Sequence, residues 1–246
     1  MFVKKCYVLL LLFVFICPKA CKIRVFKSLN ILVKKLRDCF RKWWKKLKLL
    51  LGRKTSIVGT YTQKAYDELL YSPVNLVIPM AGAGSRFAVA GYDVPKPFIE
   101  FNGKMMIEHV LDSFIRIKAN IILVLQEKFL SEQKVQLEKL QEKYNLNFVT
   151  VPKLTMGAAV TALAAHKKIN PTYDIIFADS DNIFSPFDVA NFIARARGRQ
   201  LSGALLTFNS DKPCFSYAKV DENGLLLETK EKEVISNHAV CGMYYF

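Results

Sequence analysis

Four short apolar runs, at residues 75–80, 120–125, 147–151 and 174–178, alternate with stretches of helical spacing at 105–118, 131–143 and 157–168. Strands that alternate with helices of a dozen or so residues predict a parallel sheet with helices on both faces. Beyond about residue 203 the pattern changes to short segments with turn residues between them: "GALLTFNS", "SYAKVD", "GLLLETKE" and "AVCGMYYF". Asp221-Glu222-Asn223-Gly224 is a hairpin turn signal. The expected fold is therefore α/β: a Rossmann-like, mixed and mostly parallel sheet with helices on both faces, formed by residues 66–246. The stripe Met105, Met106, Ile107, Val110 and Leu111 is assigned to its core. Ligand sites in such sheets collect at the carboxyl ends of the strands. Both chemically loaded stretches, 81–98 and 179–182, follow such ends.

Residues 1–65 read differently, as a basic hydrophobic arm. Residues 1–54 hold 16 of the 36 Lys and Arg but only one of the 21 Asp and Glu, Asp38. The arm thus carries the whole net charge of +15, and the remainder, with 20 of each sign, is neutral. "CYVLLLLFVFIC" is a twelve-residue apolar run, short of the roughly 20 needed to cross a bilayer, and suits a signal-type or interfacial segment. Leu29, Leu32, Val33, Leu36 and Phe40, then Trp43, Leu47 and Leu50, recur at helical spacing among lysines and arginines. Basic residues and tryptophans on an amphipathic stretch suit an anionic membrane surface. Long aliphatic runs are not needed for phosphate contact, so no nucleic acid is expected as a partner. Cys6, Cys17, Cys21 and Cys39 lie in the arm, and Cys214 and Cys241 are isolated, so neither a zinc site nor a secreted disulfide framework is indicated. The expectation is a cytoplasmic protein, peripheral at the inner face of a membrane.

The stretch "AGAGSRFAVAGYDVPKPF" lacks the third glycine of a dinucleotide fingerprint, since Phe87 stands there, and lacks the Gly-Lys-Ser/Thr of a Walker A loop. What remains is a loop, Ala81, Gly82, Ala83, Gly84 and Ser85, whose backbone N–H groups can wrap an anion. Arg86 closes the loop, and Lys96 is held between Pro95 and Pro97. Two such cations are what a polyphosphate needs. In "IIFADSDNIF" an apolar strand ends in Asp179-Ser180-Asp181, where two carboxylates can ligate a hard cation such as Mg²⁺ together with nucleotide phosphate. The other reading of these acids is helix capping.

Residues 75–246 resemble the sugar-phosphate nucleotidylyltransferases, in particular their bacterial capsule-polysaccharide branch. The matching stretches are "AGAGSRF", "VPKPFIEFNGKMMIEHVL", "TMGAAVTAL", "ADSDNIF", "SYAKVDENG" and "EKEVISNHAVCGMYYF". The resemblance implies the nucleotide-diphospho-sugar transferase fold and nucleotidyl transfer from a nucleoside triphosphate to a sugar 1-phosphate, with Mg²⁺. It implies that residues 81–85 cover the triphosphate, Arg86 binds the departing pyrophosphate and Lys96 holds the α-phosphate region. Gly157 would set a backbone group against the nucleobase, and Asp181 would bind the metal. Glu231 would hold sugar hydroxyls, Lys232 the sugar phosphate, and Tyr217 and Ala218 would line the sugar pocket. His109, His166 and His238 match no family role and are assigned as structural.

Three departures are expected to matter. Val151 precedes Pro152 where the family has a base-reading glutamine, so the base is not legible; Ala218 replaces a pocket glycine; and the chain stops at Phe246, where the family continues and supplies a second metal aspartate. An incomplete C-terminus is therefore expected, with Asp179 as the substitute carboxylate. Two other readings stay open: a metal-dependent glycosyltransferase using Asp179 and Asp181, and a truncated nucleotide-binding relative without catalysis. For the arm, the full chain is predicted to sediment with anionic vesicles at moderate salt and a chain lacking residues 1–54 to remain in solution; equal sedimentation would contradict this.

Overall fold

The computed structural model describes residues 67, 68 and 70–246; the arm, with its four cysteines and Trp43 and Trp44, lies outside the described residues. The described chain runs through β1 (Val74–Pro79), α1 (Ser85–Val89), a 3-10 turn (Lys96–Phe98), the short strands β2 (Glu100–Phe101) and β3 (Lys104–Met105), and α2 (Met106–Asp112). It continues through β4 (Ala119–Gln126), α3 (Phe129–Glu132), α4 (Lys134–Lys143), β5 (Leu146–Val151), α5 (Ala158–Leu163), a second 3-10 turn (Ala164–Lys167) and β6 (Asp174–Ala178). Helix α6 (Pro186–Gly198) then leads to β7 (Ala204–Asn209), β8 (Ser216–Val220), β9 (Leu226–Glu231) and β10 (His238–Tyr245).

Strand β1 pairs in parallel with β4 on one side and β6 on the other, and β5 adds in parallel to β4. Strand β10 then runs antiparallel to β6, so the sheet turns mixed at that boundary, as expected. Tyr245 pairs with both Ile176 and Ala204, while Ala239 pairs with both Phe208 and Tyr217. Strands β6 and β8 therefore follow one another along one edge of β10, and β7 covers the other. Strand β9 completes the hairpin with β8 through the Asp221–Gly224 turn, where the Gly224 N–H donates to the Asp221 carbonyl at 3.0 Å and Gly224 adopts φ 75°.

Alternate residues of the central strands point to opposite faces. Leu76, Ile78, Leu123, Leu125 and Ile176 pack with Ile107 and Leu111 of α2, Leu137 and Leu140 of α4, and Val189 and Ile193 of α6. Val77, Ile122, Val124, Ile175 and Phe177 pack instead with Ala162 of α5 and with Ala165. Both faces are thus covered, which is why these strands read as continuous apolar runs. The stripe of Met105, Ile107, Val110 and Leu111 is buried as expected, with Met106 partly exposed. No helix among the described residues is long and apolar enough to cross a membrane.

The predicted helices are shorter than their sequence patterns. The one expected over 105–118 ends at Asp112, because the Ser113 hydroxyl donates to the His109 carbonyl at 3.3 Å and accepts the Phe184 N–H at 2.9 Å. That diversion tightens the chain into i→i+3 bonds, as Phe114 N–H to the Leu111 carbonyl at 3.0 Å. The one expected over 131–143 is split at Gln133 (φ −123°), whose side chain is buried. The one expected over 157–168 passes into the 3-10 turn after Leu163. Around α2, Lys143 reaches Glu108 at 3.0 Å, and both Lys104 (2.6 Å) and the Tyr144 hydroxyl (2.7 Å) reach Asp112. Burial and the bond to Asp112 push the Tyr144 phenol up to about 12.

At the amino end of the sheet, Asn75 is fully buried. Its amide donates to the Asn170 carbonyl at 2.9 Å, and its oxygen accepts from Asn120 at 3.0 Å and from the Asn170 N–H at 2.9 Å. The side chain thus ties β1 to β4 and to the segment that enters β6. Asn75→Ala is expected to cost about 2–3 kcal/mol in urea unfolding, since it leaves several buried groups unpaired; a loss below about 0.5 kcal/mol would show that water replaces the amide without penalty.

Candidate active site

Strand β1 delivers the glycine loop to the carboxyl edge, where the Met80 N–H donates to the Val124 carbonyl at 2.8 Å. Gln126, at the end of β4, donates its side-chain N–H to the Ala81 carbonyl at 2.9 Å and fixes the loop's first residue. Gly84 adopts φ 60°, so backbone sterics favour glycine there, and a Cβ would make ordinary contact with the Lys96 Cβ at 3.4 Å. Gly82 faces open space instead. Ala83 and Ser85 are exposed, and α1 begins at once, so Arg86 stands on a single helical turn rather than on an extended loop. The cause is the left-handed Gly84, whose carbonyl accepts the N–H groups of Phe87 (2.9 Å) and Ala88 (3.2 Å). Arg86 is exposed and forms no ion pair among the described residues.

Pro95 and Pro97 set Lys96 in the 3-10 turn, where Phe98 N–H donates back to the Pro95 carbonyl at 2.9 Å. The Lys96 ammonium sits on Asp181 and lies 5.4 Å from the centre of the Phe87 ring. The two charged stretches singled out in the sequence therefore meet in space. Asp181 is exposed, at the turn after β6. Asp179 is drawn inward: its N–H donates to the Gly242 carbonyl at 2.9 Å and its Oδ2 accepts from Asn182 at 3.4 Å. Burial, with the charge of Asp181 added, pushes its carboxyl up to about 6 against the pull of Lys96. Two carboxylates facing one lysine leave an uncompensated negative charge, which is the electrostatic condition a divalent cation satisfies. Among the described residues no group of three or more His, Cys, Asp and Glu is positioned to hold a metal ion.

The other expected residues are placed unevenly. Gly157 caps α5, and its carbonyl accepts the hydroxyls of Thr155 (3.1 Å) and Thr161 (3.2 Å). A shallow cavity beside Asp179 is lined by Pro79, Ala158, Ala162, Phe177, Tyr244 and Phe246. Glu231 and Lys232 are exposed and 3.8 Å apart, and Lys232 has a left-handed backbone, φ 56°. Burial, and then the charge of Asp179, raise the Tyr244 phenol above its ordinary range. Tyr217 is fully buried, with its hydroxyl donated to the Lys212 carbonyl at 2.8 Å. Ala218 is buried too, its carbonyl accepting the Ser236 hydroxyl at 2.7 Å. Neither side chain is open to solvent.

His109 stacks on Phe101 with ring centres 4.1 Å apart, and its Nε2 lies 3.0 Å from the Phe101 carbonyl oxygen; His166 Nδ1 lies 3.0 Å from the Leu163 carbonyl oxygen. Cys214 and Cys241 are free, and burial pushes the Cys241 thiol up to about 11. Sequence reasoning missed Gln126, Asn182 and Gly242. Gln126 was legible as a polar residue directly after a buried run, and Gly242 as an isolated glycine inside a strand pattern.

Comparison with known proteins places this geometry in context. The profile of the MobA-like NTP transferase domain matches residues 76–238. The mannose-1-phosphate guanylyltransferase catalytic subunit beta of Dictyostelium discoideum is 26% identical over 182 residues, covering 69% of this chain and 48% of its own length. The chain thus spans about half the length of the curated relatives it matches. Among solved structures, a nucleoside-diphosphate-sugar pyrophosphorylase from Vibrio cholerae RC9 aligns with a TM-score of 0.58 at 24% identity, over 70% of this chain and 72% of that one. The inositol-1-phosphate CTP transferase from T. maritima aligns with a TM-score of 0.56 at 19% identity, over 70% of this chain and 69% of that one.

Burial and the charge of Asp181 push the Asp179 carboxyl up to about 6 in the folded chain, whereas an unfolded aspartate sits near 4. The folded state therefore binds this proton more tightly, and its contribution to stability falls as pH rises through that window. Asp179→Asn removes the effect, so without divalent cation it is expected to exceed the parent by roughly 1–3 kcal/mol near pH 7 and to show no such gain below about pH 4. Urea midpoints at both pH values check this; an equal difference at the two would contradict it.

Proposed function

The chain belongs to the MobA-like NTP transferase domain family, and we propose that it transfers a nucleotidyl group from a nucleoside triphosphate to a sugar 1-phosphate, releasing pyrophosphate. The observation that carries this reading is the meeting of Lys96 with Asp181, under a glycine loop, at the carboxyl edge of the parallel sheet. A phosphate oxygen of the sugar 1-phosphate attacks the α-phosphorus in line; the bond from that phosphorus to the α,β-bridging oxygen breaks, and the electron pair leaves with pyrophosphate. No residue needs to become covalently attached, so the work lies in positioning and in neutralising charge.

In this assignment the backbone N–H groups of Gly82, Ala83, Gly84 and Ser85 follow the triphosphate, with Ala81 anchored behind them by Gln126. Lys96 leaves Asp181 for the α-phosphate, and Arg86, which has no ion pair to break among the described residues, takes the departing pyrophosphate. Gly157 bounds the base site beside the cavity at α5. Glu231 and Lys232 take the sugar hydroxyls and sugar phosphate, and Tyr217 and Ala218 form the closed wall behind that pocket. Asp181 and Asp179 would hold Mg²⁺, which when bound supplies positive charge to the phosphate oxygens. Two finer assignments rest on sequence alone: the product serves surface or capsular polysaccharide synthesis, and the basic arm 1–65 holds domain 66–246 at the inner face of a membrane.

The full chain incubated with Mg²⁺, nucleoside triphosphates and sugar 1-phosphates is expected to release pyrophosphate. Arg86→Ala should lower that rate by about 10²–10³-fold. Binding of nucleotide with no pyrophosphate would instead support a non-catalytic relative, and sugar transfer from a nucleotide-sugar would support a glycosyltransferase.

A further inference from the structure

The Asp179 carboxylate is seated in a slot whose floor is a backbone atom of another strand. Strand β10 pairs with β7 in one register up to Val240 and in a shifted register from Tyr244 onward, so the intervening residues form a bulge. Gly242 lies in that bulge at φ 77°, a conformation that glycine adopts without penalty. Its carbonyl accepts the Asp179 N–H at 2.9 Å. The face where a side chain would begin is turned toward the carboxylate: a Cβ on Gly242 would lie 2.1 Å from Asp179 Oδ2, 2.7 Å from its Cγ and 2.6 Å from Asn182 Nδ2. Asn182 closes the slot by donating to the same Oδ2 at 3.4 Å. Along this side of β10, β6 ends near Ala178 and β8 begins pairing at Ala239, so the bulge faces the gap between them.

We propose that Gly242 is a positioning residue for the reaction: the bare backbone of the β10 bulge sets where the Asp179 carboxylate stands relative to Asp181. This inference rests on the nucleotidyltransferase reading for its functional consequence, but its geometric core does not. The bond from Asp179 N–H fixes the backbone and the absent side chain leaves the carboxylate its place. A methyl group at Gly242 has no room unless that carboxylate and the Asn182 amide move. The Asp179–Asp181 pair would then no longer present its oxygens to one cation.

The test is a double-mutant cycle on the full chain with Gly242→Ala, Asp179→Ala and the combination. Thermal midpoints without metal read the geometry alone. Gly242→Ala is expected to lower the midpoint of the parent, and to lower it less in the Asp179→Ala background, where two of the three crowded atoms are gone. If Gly242→Ala does not fold, the double variant is expected to recover a cooperative transition. In pyrophosphate release, Gly242→Ala should raise the Mg²⁺ concentration at half-maximal rate by about tenfold or more. The double variant should require no more Mg²⁺ than Asp179→Ala. Additive losses in both readouts, or a double variant that still fails to fold, would overturn the assignment and leave Gly242 as a strand-bending residue. A parent that releases no pyrophosphate but shows the midpoint coupling would sink the functional reading and retain the geometric one.

Discussion

Strand β1 is hydrogen-bonded in parallel to β4 and to β6, and that double pairing is what gathers the chemistry of this chain into one place. Parallel neighbours end at the same edge, so the loop that follows Pro79, the side chain of Gln126 and the acids after Ala178 share one rim. The covering helices keep both faces of these strands dry and leave that rim as the exit for polar groups. Asn75 secures the opposite edge, where its side chain ties β1 to β4 and to the segment that enters β6.

At the rim the charges compensate one another only in part. Lys96 answers Asp181, Arg86 is exposed and forms no ion pair among the described residues, and Asp179 is half-buried with a neighbouring carboxylate as its principal electrostatic burden. The arrangement is suited to exchange. In the proposed reading, a polyanion with a cation would offer Lys96 and Arg86 phosphate oxygens and the two carboxylates a positive partner, so each local deficit would be met together. Because Lys96 is carried on a turn fixed by Pro95 and Pro97, the exchange of partners proposed for it would need movement of a side chain and not of the loop.

The central fold was legible because strands buried on both faces leave uninterrupted apolar runs, and the four such runs at 75–80, 120–125, 147–151 and 174–178 lie within one or two residues of β1, β4, β5 and β6. The helix ends were not, because they are set at long range: Ser113 stops α2 by accepting the N–H of Phe184, a residue far along the chain. The approach of Lys96 to Asp181 followed from a topological rule applied to two local patterns, whereas the burial of Tyr217 did not, since its hydroxyl is satisfied within its own loop at Lys212. Gly242 is the sharpest omission. The run "AVCGMYYF" shows an isolated glycine inside a strand pattern, but only the approach of Asp179 from β6 shows what a side chain there would meet.

The central claim is that Lys96 exchanges Asp181 for phosphate at this rim. A crystal structure of the full chain with Mg²⁺ and a non-hydrolysable nucleoside triphosphate analogue tests it directly. The account predicts the triphosphate along residues 81–86, with the Lys96 ammonium on an α-phosphate oxygen and no longer on Asp181. A nucleotide bound elsewhere, or bound here with the Lys96–Asp181 pair intact, would contradict it.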